Sequence, residues 1–116
     1  MDASTPAFLQ GTFAFIGNGL EKMEALDGAS YTVPFDKRAQ LIYFRAGNSA
    51  DELVSLMLLR DGDVMRYFPL GAKAAMHVPM AVVEDLMPDT ELTLCVSAPA
   101  GVRGEVVVDI GFVEIA

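Results

Sequence analysis

The chain has 116 residues, 53% of them from the AVILMFWYC set, with ten glycines, sixteen acids against eight bases, one histidine and one cysteine. This length sets a single domain over 1–116 that buries roughly two-thirds of its unfolded surface, and an apolar share above the usual ~45–50% excludes a disordered chain. A formal charge of −8 with scattered basic residues excludes a phosphate-tracking nucleic-acid surface and argues against an anionic membrane, and no apolar run nears the ~18 residues of a spanning helix.

The opening "MDASTPAFLQ" has an acid at position 2 and no basic stretch ahead of an apolar run, so it does not read as a signal peptide. A lone cysteine forms no internal disulfide, and the expected location is cytoplasmic. Residues 7–17, "AFLQGTFAFIG", read as the first strand. In "GLEKMEAL" (19–26), Leu20, Met23 and Leu26 recur at a spacing of three, which fits a short helix or a strand. "ASYTVPF" (29–35) is a further strand. In "AQLIYFR" (39–45), alternation sets Leu41 and Tyr43 on one side and Ile42 and Phe44 on the other.

"ELVSLMLL" (52–59) is apolar on both faces, so this strand is either central or covered by another molecule. Asp61-Gly62 follows, suited to the two positive-φ positions of a type I′ turn, and then "VMRYFPL" (64–70). Residues 53–68 are therefore expected to form a hairpin with Leu59 opposite Val64. Pro79 confines 72–83 to an edge strand or two short pieces. "TELTLCVSA" (90–98), the turn "PAG" and "RGEVVVDIGFVEI" (103–115) complete the chain. In the last strand Val106, Val108, Ile110 and Phe112 share a face opposite Glu105, Val107 and Asp109, with Gly111 marking a bulge. Seven to eight short strands with at most one short helix specify an all-β antiparallel β-sandwich, jelly-roll-like or immunoglobulin-like.

Chemistry is sparse. His77 sits in "AAMHVPM" between Met76 and Met80. One histidine and one cysteine cannot supply the common zinc or blue-copper sets, and strand alternation sends Met76 and His77 to opposite faces, so packing is expected and no metal or cofactor. Cys95, among apolar neighbours, reads as structural. Glu84, Asp85, Asp89 and Glu91 crowd one loop as solvated acids, with loop-bound calcium the alternative. No G-x-S-x-G, H-E-x-x-H or C-x-x-C motif occurs, and an enzyme is not expected.

Tyr43, Arg45, Arg66 and Tyr67 are the candidate ligand-binding residues, because charged and aromatic side chains alternate there along apolar strands and suit a sugar or peptide. The competing explanation is a solvated outer face with cross-strand ion pairs. Two functional readings follow. The first is a non-catalytic, self-associating interaction or accessory protein, drawn from the excess of apolar residues. The second is a carbohydrate- or small-ligand-binding module, with calcium holding a loop.

Overall fold

A computed structural model of the chain describes residues 4–116. Nine strands and no helix occur among them: β1 (Ser4–Ile16), β2 (Gly19–Thr32), β3 (Arg38–Asn48), β4 (Val54–Arg60), β5 (Asp63–Leu70), β6 (Ala75–Pro79), β7 (Asp85–Leu86), β8 (Glu91–Ala98) and β9 (Arg103–Ile115). Sheet I has the order β1-β9-β3-β6, with β7 also pairing β3, and sheet II the order β2-β8-β4-β5. All pairings are antiparallel.

The first four strands alternate between the sheets, so sequence neighbours face each other across the core instead of pairing. This interleaving is the order of two intertwined Greek keys, a jelly roll. An immunoglobulin domain would place its first two strands in one sheet. The count of nine exceeds the seven to eight expected because Asp85–Leu86 adds a two-residue strand.

"GLEKMEAL" is strand, and its spacing of three has a cause. β2 runs from Gly19 to Glu24 while β8 runs only from Ala98 to Val96, and from Ala25 to Ser30 while β8 runs from Cys95 to Thr93. These bulges break simple alternation, so Leu26 and Ala29 both enter the core while Leu20 and Met23 stay exposed.

The core lies between the sheets. Phe44 of β3 stacks on Phe68 of β5 with ring centroids 3.7 Å apart, and Tyr31 of β2 stacks on Phe112 of β9 at 4.3 Å, so each stack bridges the two sheets. Such pairs add about 0.5–1.5 kcal/mol beyond the area they bury. β4 is central in its sheet: Val54, Leu56 and Leu58 are fully buried in the main core, and Met57 and Leu59 pack with Cys95 and Val64 on the opposite face. Central placement explains why this strand is apolar on both sides.

β3 departs from the expected alternation. Leu41 pairs with Phe112 and Tyr43 with Gly111, which leaves Ile42 as an extra residue. Leu41 and Phe44 are both fully buried, Ile42 is 38% exposed, and Tyr43 shares the outward side. The expectation that Phe44 would share a face with Ile42 is therefore corrected by one inserted residue, which shifts the inward phase.

A buried amide braces the loops at one end of the sandwich. Asn48 Nδ2 donates to the carbonyls of Glu52 and Gly71, both at 3.0 Å, and its Oδ1 accepts the Ala50 amide at 2.9 Å. Asn48→Ala orphans one buried donor and two acceptors and is expected to lower stability by about 2–4 kcal/mol in denaturant unfolding.

The β4–β5 turn has the expected form, with Asp61 at φ 49 and Gly62 at φ 90 and Leu59 opposite Val64. Asp61 Oδ1 also accepts the Glu91 amide at 2.9 Å. Gly62→Val is expected to lower stability by roughly 1–3 kcal/mol through backbone strain. Asp61→Asn keeps the acceptor and tolerates the left-handed region, so its denaturant midpoint should stay near wild type.

Candidate functional site

Strand register assembles a line of polar side chains on the outer face of sheet I. Gln10 of β1 pairs with Asp109 of β9, Asp109 with Arg45 of β3, and Arg45 with His77 of the edge strand β6. Their chain neighbours Leu9, Ile110, Phe44 and Ala46 are buried, so the core-facing phase of each strand turns these four residues outward.

Asp109 is the hub. Its Oδ1 accepts the Gln10 amide at 3.0 Å and the Tyr43 hydroxyl at 2.9 Å, and its Oδ2 accepts Arg45 Nη2 in an ion pair. The Tyr43 ring meets His77 edge-on with centroids 5.9 Å apart, and the Arg45 guanidinium carbon lies 5.5 Å from the Tyr43 centroid. The residue opposite Tyr43 is Gly111, and a Cβ there would collide with the ring. Glycine at 111 is what lets the aromatic side chain settle on β9.

The electrostatics follow from these contacts. Hydrogen bonds from Arg45 and then Gln10 hold the Asp109 carboxyl below its ordinary value. The same hydrogen bond to Asp109, with its charge, holds the Arg45 guanidinium above its own. Desolvation, followed by the hydrogen bond donated to Asp109, raises the Tyr43 phenol. Arg45 and Asp109 are therefore a matched ion pair, and Tyr43 stays a neutral donor. Beside the row lies an open trough of about 450 Å³ lined by Arg45, Gly47, Ala75, Met76, Val107 and Asp109. Its small residues let a ligand approach the backbone closely.

The four candidate residues named from sequence do not form one cluster. Tyr43 and Arg45 stand together on sheet I, while Arg66 and Tyr67 belong to β5 in sheet II. Arg66 pairs with the core-facing Leu58 and binds Glu84 Oε1 at 2.6 Å, which makes it a structural tie between β5 and the loop after β6. Tyr67 pairs with Met57 and is 68% exposed over a shallow apolar trough of about 310 Å³ that includes Leu20, Met23 and Val64. The residues that sequence reasoning missed, Gln10, Asp109 and His77, join Arg45 only through register between distant strands.

His77 is exposed, while Met76, Val78 and Met80 pack partly buried against the core. The methionine sulfurs and the imidazole thus lie on opposite faces of β6 and do not converge. Cys95 is buried, and desolvation raises its thiol. The loop acids are engaged separately: Glu84 with Arg60 and Arg66, and both carboxylate oxygens of Asp85 with Arg38 at 3.0 Å. Among the described residues no group of three or more His, Cys, Asp or Glu is placed to share a metal ion. Of the four loop acids expected to be solvated, Glu84 and Asp85 are instead paired with arginines.

No protein-family model and no curated protein matches the chain. Solved structures do. The chain is similar to the CBM36-1 domain of a multidomain xylanase from the hindgut metagenome of Trinervitermes trinervoides, at 15% identity and TM-score 0.59, covering 94% of this chain and 96% of that one. It is similar to the carbohydrate-binding module CBM36 in complex with calcium and xylotriose, at 16% identity and TM-score 0.55, covering 97% and 99%. It also resembles a family 35 carbohydrate-binding module from Clostridium thermocellum, at 11% identity and TM-score 0.52, covering 93% and 97%. The likeness is one of fold.

A carboxyl whose folded-state value is depressed contributes stability above its unfolded value, near pH 4, and loses it as pH falls through the folded value. Asp109 is therefore expected to titrate below an ordinary aspartate in carboxyl-detected NMR, and Arg45→Gln should move its midpoint upward. Cys95 is expected to resist thiol reagents in the native protein and react on unfolding, read as labelling against denaturant. Gly111→Ala displaces the Tyr43 ring and should lower stability by roughly 1–3 kcal/mol.

Proposed function

We propose that the domain is a non-catalytic binding module that seats a neutral saccharide on the outer face of sheet I. The observation that carries this reading is the row Gln10–Asp109–Arg45–His77, with Tyr43 bonded into it. A saccharide presents hydroxyls that both donate and accept, and binding them without a large ordering cost needs polar groups fixed beforehand. Here Asp109 and Arg45 fix each other and cancel in charge, which suits an uncharged polyol better than an anion or a cation. The exposed Val107 and the Tyr43 and His77 rings offer apolar surface for sugar C–H groups.

The trough beside the row, about 450 Å³, lies within the ~300–1,000 Å³ usual for ligand sites. A carboxylate kept ionised and a phenol kept protonated suit hydrogen bonding more than proton transfer near neutral pH. The fold likeness to carbohydrate-binding modules, one of them in complex with xylotriose, supports the choice of ligand class. This reading assigns calcium no part, because the polar row holds its groups without a metal and Glu84 and Asp85 of the loop are paired with arginines.

The test is calorimetric titration with xylo-, cello- and manno-oligosaccharides. Wild type is expected to bind at least one of them. Arg45→Ala and Asp109→Ala should each weaken it about tenfold or more, or ~1.4 kcal/mol, with Tyr67→Ala and added chelator leaving it unchanged. Absence of binding to every saccharide, or loss in Tyr67→Ala with Arg45→Ala unaffected, contradicts the assignment.

A further inference from the structure

The lateral edges of sheet I are β1 on one side and β6 with the two-residue β7 on the other, and those of sheet II are β2 and β5. An exposed edge is a template for another strand, and proteins block it with charge, proline, bulges or brevity. β2 carries Glu21, Lys22, Glu24 and Asp27 and two register breaks. β5 carries Asp63, Arg66 and Pro69 and is bulged against β4. β6 has five residues and ends on Pro79.

β1 has none of these defences beyond Pro6 near its start. Its thirteen residues include no charged side chain, and it pairs with β9 in unbroken register from Ser4↔Ile115 to Ile16↔Arg103. Its other edge has no strand partner among the described residues. Two outward side chains on it are large and apolar, Phe8 at 51% and Ile16 at 54% exposure.

We propose that β1 is a strand-addition edge whose occupant is a second copy of this chain. Two β1 strands pair antiparallel about a two-fold axis and join both copies of sheet I into one continuous sheet. Charge decides for this place, and the symmetry of an antiparallel pair for this occupant. A chain of net charge −8 repels its own copy wherever acids face each other, and β1 is the long edge that brings no formal charge to the joint. An antiparallel strand is also self-complementary about a two-fold axis, the commonest symmetry of soluble dimers.

With the axis near Gly11, the Phe8 ring of one copy comes beside Ala14 of the other and Gln10 beside Thr12, so a large side chain meets a small one. The two polar rows then lie on one face, their Arg45 side chains five strand spacings apart, about 24 Å. The pairing does not depend on what those rows bind.

Sedimentation velocity and light scattering test it. Wild type is expected at twice the monomer mass at high micromolar concentration, dissociating on dilution. Thr12 and Ala14 are exposed, so Thr12→Lys with Ala14→Lys places like charges across the axis without touching the core. That variant should be monomeric with an unchanged circular dichroism spectrum and the melting midpoint of dilute, monomeric wild type, while Leu20→Lys with Met23→Lys on sheet II stays dimeric. A readout that needs no substitution is amide exchange in residues 7–16, expected to slow as wild-type concentration rises. A wild type monomeric at every concentration, a dimer that survives Thr12→Lys with Ala14→Lys, or concentration-independent exchange in 7–16 overturns the proposal.

Discussion

One extra residue in β3 sets both the core and the outer face. Ile42 is inserted where Leu41 pairs with Phe112 and Tyr43 with Gly111. Strand side chains alternate with period two, so if Ile42 were paired in regular register instead of bulged, Tyr43 and Arg45 would follow Leu41 into the core and Phe44 would turn to solvent. The insertion turns Phe44 inward to stack on Phe68 and turns Arg45 outward to meet Asp109. Packing between the sheets and the polar row are thus two consequences of one register shift. Gly111 makes the shift tolerable by leaving room for the Tyr43 ring.

Around that constraint the charges are arranged in two ways. Arginines at the sandwich margin act as ties: Arg38 binds Asp85 of β7, and Arg60 and Arg66 both reach Glu84. These pairs are partly solvated and each contributes little to stability, but together they fix the course of the loop after β6. On the outer face of sheet I, Arg45 and Asp109 are bonded to each other and, through Gln10 and Tyr43, to two more strand positions. A carboxylate with three bonded donors has little rotamer freedom left, and a binding surface profits from that rigidity.

The fold was largely legible in the sequence because it is written in short-range signals. Asp61-Gly62 specifies its turn through backbone sterics alone, and the two-faced apolar run 52–59 marks a central strand through burial alone. The bulges were not legible. Leu20, Met23 and Leu26 carry a helix-like spacing that arises from insertions in β2, and "AQLIYFR" reads as regular alternation when its middle residue is the extra one. The candidate site was half legible. Tyr43 and Arg45 announce themselves as polar side chains on an apolar strand, but the same signal marks Arg66, which is a structural tie to Glu84. Gln10 and Asp109 lie far apart in the chain and meet only because β1 and β9 pair in register, a long-range fact that local pattern does not contain.

The central claim is that the outer face of sheet I, ordered by the Ile42 bulge, is where ligand sits. The most direct measurement is a residue-by-residue map of amide chemical shifts as a bound oligosaccharide is titrated in. Perturbations concentrated at Gln10, Tyr43 to Gly47, Ala75 to His77 and Val107 to Gly111 are the predicted result. Perturbations that instead cluster at Leu20, Met23 and Tyr67 on sheet II, or in the loops joining the strands, would contradict it.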